Sequence, residues 1–153
     1  MDSHSQTIIK SINRNIKKEF IISKIQKGDL HFILNEFCFI NNNYLILNYK
    51  YFKYFGCKET YKLILEYLTK KIDEILINNN LFTIYLNMNS LTISEIDKHY
   101  DFIKQMSFFF KQKYPNKLEK CFIYNTPFVF SQFYKIISIF LDKETQKKIE
   151  IIQ

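Results

Sequence analysis

The side chains that most often carry acid–base, thiol or metal chemistry are few in this 153-residue sequence and poorly placed for it. His4, His31 and His99 do not combine with Cys, Asp or Glu in a metal-ligand pattern. His99 shares a helical-wheel face with Ile96, Phe102, Ile103, Met106 and Phe110, which suits a hydrogen-bonded histidine at a core edge better than a general base. Cys38, Cys57 and Cys121 are odd in number and form no C-x-x-C pair, so they read as small buried hydrophobes in a reducing compartment. No G-x-S-x-G, no H-E-x-x-H and no Gly-rich phosphate loop occurs, and two glycines in all leave little backbone for a nucleotide cradle. Adjacent carboxylates such as Asp73 and Glu74 belong to a solvated helix face. The expectation is binding rather than catalysis, with no catalytic residue, no metal and no cofactor.

The elements that would position a binding site alternate between strand and helix. Residues 44–52 follow a turn-prone Asn run and read as a strand. Over residues 58–77, Tyr61, Ile64, Leu65, Leu68, Ile72, Ile75 and Leu76 make one apolar helical stripe. Residues 81–88 are a nearly continuous apolar run, expected of a strand covered on both faces. Ser94 and Asp97 suggest a capping box opening a helix over 95–113, closed by Tyr114 before Pro115. A strand at 120–125, a helix at 128–141 and a strand at 148–153 follow, while 28–40 is apolar without a readable period. This alternation predicts an α/β domain with a mostly parallel sheet and right-handed crossover helices.

Two features invite an apolar or anionic partner. Near the start, Ile8, Ile9, Ile12, Ile16 and Phe20 fall on one side of a helical wheel, and Lys10, Arg14, Lys17, Lys18 and Lys24 on the other. Such a helix either lies on an anionic membrane or docks on the domain. Docking is preferred, because Ile21, Ile22 and Ile25 fall off the stripe. The net charge of +7 argues weakly for nucleic acid, since a chain without Ala, with one Arg and rich in Lys, Asn, Ile, Phe and Tyr has the residue set of an AT-rich coding sequence. Stacking aromatics would also need exposure beside lysines, whereas most here fall at core spacing. The second feature is the segment 128–141. Phe130, Phe133, Tyr134, Ile136, Ile137, Phe140 and Leu141 cover an arc of roughly 160°, wider than a helix with one apolar neighbour needs. The extra neighbour is a lipid tail, a membrane or another chain, and periodicity does not choose among them.

The stretch from Tyr114 to Ile152, YPNKLEKCFIYNTPFVFSQFYKIISIFLDKETQKKIEII, resembles the signature of CRAL-TRIO domains of the phosphatidylinositol-transfer-protein type. Tyr114, Pro115 and Leu118 match its opening, Asn125 and Pro127 an Asn-x-Pro turn, Phe140, Leu141 and Asp142 the end of an aromatic-rich helix, and Lys148 with Ile149 the final strand. Upstream, residues 83–90 resemble the strand that in the family ends in Asp-Leu-x-Gly, with Asn87 and Ser90 standing where Asp and Gly are usual.

The resemblance implies an apolar pocket behind a movable gate, formed by Phe128, Phe130, Phe133, Tyr134, Ile137, Phe140 and Leu141, for non-enzymatic binding or transfer of a phospholipid or similar hydrophobic ligand. In phosphoinositide-binding members the positions of Asn116, Lys117, Thr145 and Lys148 hold a headgroup, so Lys117, Thr145 and Lys148 are its expected phosphate set. Positions that contact choline lipids in some members fall near Phe82 and Ile84, which lack a hydrogen-bonding side chain. Relative to the family pattern the usual N-terminal helical domain and the C-terminal segment are missing. The expected division is a basic amphipathic helix over 1–27 and a CRAL-TRIO-like domain over 28–153. With no signal-peptide layout at the start, the expected location is cytoplasmic, peripheral at membranes. The alternative is a pocket-less interaction module of the same fold, acting as a homodimer or with a protein partner.

Overall fold

The computed structural model describes residues 17–152. Ile8, Ile9, Lys10, Ile12, Arg14 and Ile16 of the expected N-terminal stripe lie outside them. The first described helix, α1 (Lys18–Gln26), ends at Gly28, whose φ of 71° is the left-handed conformation that glycine adopts without strain. Its inward residue is Ile21, fully buried, while Phe20 stands 45% exposed with its ring edge-on to Phe32. The stripe expected through Phe20 is thus displaced by one residue where the helix meets the domain.

The unassigned stretch 28–40 forms helix α2 (Leu30–Phe37) and strand β1 (Cys38–Asn41). Strand β1 pairs antiparallel with β2 (Tyr44–Asn48) through a two-residue connection in which Asn42 takes a φ of 59°, a conformation Asn tolerates. The strand expected over 44–52 stops at Asn48, and α3 (Tyr49–Phe55) begins there. The Asn48 side chain accepts the Lys50 N–H at 3.4 Å, and Tyr49, Phe52 and Phe55 recur at helical spacing on the buried side. Gly56 leaves the helix in an extended conformation, and a Cβ there would meet the Phe52 ring at 2.8 Å.

Helix α4 (Tyr61–Asn78) buries Ile64, Leu68, Ile72 and Ile75 and leads into β3 (Phe82–Asn87). The helix expected over 95–113 is two: α5 (Ile93–Lys98) and α6 (Tyr100–Lys113), broken at His99. Its start lies two residues earlier than the Ser94/Asp97 pair suggests, because Thr92 donates its hydroxyl to the Glu95 carboxylate. Strand β4 (Leu118–Tyr124), helix α7 (Phe130–Ser138), helix α8 (Lys143–Lys147) and strand β5 (Ile149–Ile151) complete the described chain. The helix expected over 128–141 is therefore shorter. Residues 127–129 and 139–142 are turns, and the Asp142 carboxylate starts α8 by accepting the Thr145 N–H at 2.7 Å.

The strands lie in the order β1-β2-β3-β4-β5, parallel from β2 onward. Each crossover steps to the next strand in the same direction, so right-handed connections put α4, α5–α6 and α7–α8 on one face of the sheet. That face holds the main core, from Ile33 and Leu34 through Ile64, Leu68 and Ile72 to Cys121 and Ile123. Each fully buried aliphatic side chain contributes about 1.5–3 kcal/mol. On the opposite face Ile46, Tyr85 and Tyr124 form a smaller cluster with Phe39, Tyr44 and Phe122.

Candidate ligand-binding cavity

Between the sheet and the helix layer the packing leaves an apolar cavity of two lobes. The outer lobe measures about 400 Å³ and the inner about 140 Å³. Leu47, Leu68, Leu86 and Met106 line both, so the lobes meet over the middle of β2 and β3 beneath α4 and α6. Alternation along the strands supplies the floor: Leu45 and Leu47 on β2, and Phe82, Ile84 and Leu86 on β3, point to the same side. An outer lobe of this size and lining is typical of a small-molecule site.

The inner lobe is walled by aromatic rings. Phe52 is their hub, with its centroid 4.6 Å from His99, 5.7 Å from Phe102 and 6.0 Å from both Phe37 and Tyr49. The lobe presents only apolar surface, and the polar groups of its lining residues are turned away from it. Glu95 accepts hydrogen bonds from Tyr49 and Thr92, and Lys53 Nζ lies 3.4 Å from its carboxylate while donating to the Ser90 carbonyl at 2.7 Å. Burial opposes ionisation of Glu95, but these hydrogen bonds and the Lys53 charge hold its carboxyl below the usual range. Burial, assisted by Glu95, pushes the Tyr49 hydroxyl up. His99 pairs through Nδ1 with the Tyr61 hydroxyl at 2.6 Å, and burial with the nearby Lys98 charge brings its imidazole down to about 4.

The outer lobe opens at a mixed rim of Lys111, Asn116, Asp142, Glu144, Thr145 and Lys148. Lys111 and Asp142 approach to 3.9 Å across it. The rim is tied to α7 by the Gln146 amide, which donates to the carbonyls of Ser138 at 3.0 Å and Leu141 at 2.9 Å. Two neutral donors, two ammonium groups and two carboxylates stand beside an otherwise apolar opening, an arrangement that suits a ligand with a hydrocarbon body and a polar end.

The residues singled out from the sequence separate into four groups. Phe133 lines the inner lobe, and Phe140, Leu141, Thr145 and Lys148 line the outer. Phe130 is buried against Phe133, and Tyr134 and Ile137 pack on the core without reaching either lobe's lining. Phe128 is 95% exposed in the turn before α7. Lys117 is exposed and off the lining. Most of the wall comes from residues the sequence reading did not assign to it: Leu68, Met106, Phe102 and His99. Their helical spacing marks them as core, and no pattern within one helix distinguishes core from cavity wall. Among the described residues no group of His, Cys, Asp and Glu could hold a metal ion, and no helix is long and apolar enough to cross a membrane.

Residues 36–153 match the family model of the CRAL/TRIO domain. Over 67 residues the chain is 33% identical to the Sec14 cytosolic factor of Schizosaccharomyces pombe, a match covering 44% of this chain and 23% of that protein. The crystal structure of Sfh5 shares the fold with a TM-score of 0.64 at 21% identity, over 72% of this chain and 42% of that one. The chain thus spans less than a quarter of the curated relative and less than half of the solved chain.

Proposed function

Because this chain belongs to the CRAL/TRIO family, we propose that it binds, and carries between membranes, a phospholipid or other hydrophobic ligand without transforming it chemically. The observation that carries this reading is the two-lobed apolar cavity between sheet and helices. Hydrocarbon in the cavity would be shielded by Leu45, Leu47, Ile84 and Leu86 below and by Leu68 and Met106 above. Segment 128–141 supplies the movable wall, with Phe133, Phe140 and Leu141 touching the ligand and Phe130, Tyr134 and Ile137 anchoring it. The exposed side chains Phe128 and Ile139, at its two ends, suit insertion into a bilayer surface. Thr145 and Lys148, with Lys111, offer a hydrogen bond and positive charge to a headgroup phosphate at the rim. Lys117 takes part only through its longer-range charge. A cytoplasmic protein with transient membrane contact fits this cycle.

The test is native mass spectrometry of the purified protein before and after incubation with vesicles of phosphatidylcholine and phosphatidylinositol. One lipid bound per chain is the expected result. A protein that extracts none, and instead forms a stable homodimer, would replace this reading with the pocket-less module.

A further inference from the structure

The outward face of α4 carries a surface groove that takes no part in the cavity. One side of its lining is the row Lys62, Glu66, Lys70 and Glu74. The other is the row from Leu65 through Thr69 and Asp73 to Ile77, with Phe109 of α6 beside it. Residues spaced by four form the natural ridges of a helix surface, so the groove is the furrow between two neighbouring ridges. Leu65 near one end is half-buried, and Ile77 at the other is 77% exposed. Leu68 and Ile72 of the same helix turn the other way and line the outer lobe.

Charge selects what fills this groove. The chain carries a net +7, yet the lining holds two ammonium groups and three carboxylates, so it opposes rather than attracts an anionic membrane or a nucleic acid. Asp73 is held by the Tyr114 hydroxyl at 2.6 Å and by Lys113 at 3.7 Å, and Glu74 lies 3.9 Å from Lys71. Among the described residues Lys62, Glu66 and Lys70 form no ion pair. The first row thus alternates plus, minus, plus, minus, and such a row turned end for end sets each charge beside its opposite. We propose that this face binds a second copy of the chain about a two-fold axis between Glu66 and Lys70. The ridge of one copy lies in the groove of the other, with the helices crossing at about 50°, the angle that rows spaced by four prefer. Lys62 then meets Glu74 of the partner subunit, Glu66 meets Lys70 of the partner subunit, and symmetry repeats both pairs. Sliding the ridges by one step, or running them parallel, sets like charges together, so the row fixes register and direction as well as partner. Exposed pairs contribute little singly, and burial of Leu65, Ile77 and Phe109 adds to them, so the dimer is a reversible one. The cavity faces away from the contact, and the inference stands whether or not lipid is bound.

The test is sedimentation velocity of the full chain over a concentration series. Salt of about 0.1 M damps the repulsion between two +7 chains beyond roughly 10 Å while leaving contact pairs in force. Wild type is expected to show a monomer–dimer equilibrium. Glu66→Lys and Lys70→Glu should each weaken self-association roughly tenfold or more, because symmetry counts each new repulsion twice. The double variant carrying both reversals should regain it. Mixed together, the two single variants should sediment as a dimer, since the lysines of one then face the glutamates of the other. Both positions are exposed, so the reversals should leave the fold intact, and recovery in the mixture requires that both variants are folded. A wild type that stays monomeric throughout would overturn the proposal and leave the groove to a helix of another protein. Dimers of unchanged strength in both single variants, or single variants whose mixture stays monomeric, would overturn the pairing through this face.

Discussion

The two lobes of the cavity are built on different principles. The inner lobe is set by residues far apart in sequence whose rings interlock: Phe37, Phe52, Tyr61, His99 and Phe102 come from α2, α3, α4, the α5–α6 break and α6. Its walls are parts of the hydrophobic core, and its polar atoms are hydrogen-bonded to one another apart from His99 Nε2. The outer lobe shares the sheet as floor but is closed by turn residues 139–142 and the short helix α8, fastened by Gln146 and Asp142. On the proposed lipid-binding reading, rigidity and selectivity belong to the first and opening to the second. A carrier of apolar molecules needs both: one end that holds a shape and another that lets the cargo pass.

The largest expected effect would come from the hub of the inner lobe. Phe52→Ala removes a ring that touches five others, and should destabilise the protein by about 3–5 kcal/mol in urea unfolding. A cost nearer that of a surface substitution would mean that the inner lobe is as pliable as the outer. Acid sharpens the contrast next. His99 titrates near 4 in the folded protein and near 6.5 when unfolded, so the unfolded chain takes up the proton first. Its contribution is complete above pH 6.5 and is lost as the pH falls toward 4, by about 1.4 kcal/mol per pH unit at most. Unfolding midpoints measured across this range should show that slope in wild type and lose it in His99→Gln.

Met106→Trp, where the lobes join, should cost about 1–3 kcal/mol by overpacking. It should also shorten the longest chain found by mass spectrometry of bound lipid; an unchanged length distribution would show that cargo never crosses the junction. The smallest effect belongs to the rim. Lys148→Ala should leave stability within about 0.5 kcal/mol. Vesicle assays should show several-fold weaker extraction of anionic lipid with neutral lipid unaffected.

The same division governs what was readable beforehand. Helix α4 was legible from its apolar stripe, and strands β3 and β4 from short apolar runs set off by Asn and Pro. Thr145 and Lys148 were singled out by the family resemblance alone, and they stand on the outer rim. Helix α3 was not legible, because its aromatic and lysine run suits a strand by propensity and a helix by spacing, and Asn48 decides the matter with one capping contact. Strand β1 was hidden in the unbroken apolar run that also holds α2. The Tyr61–His99 pair had no signal at all, since 38 residues separate partners that meet only when α4 packs beside the α5–α6 break. Features specified within one element could be read in advance, and those created by two elements meeting could not.

The uninterrupted strand order has a consequence for how the molecule comes into being. Every strand after the first pairs with the one made just before it. A growing chain can therefore form the β1–β2 hairpin and then add one crossover unit at a time along a single edge, never holding a gap open for a later strand. The aromatic hub is available once α6 has been made, while α8 and β5 come later. On that schedule the aromatic end of the cavity forms before the rim end that the proposed function requires to open.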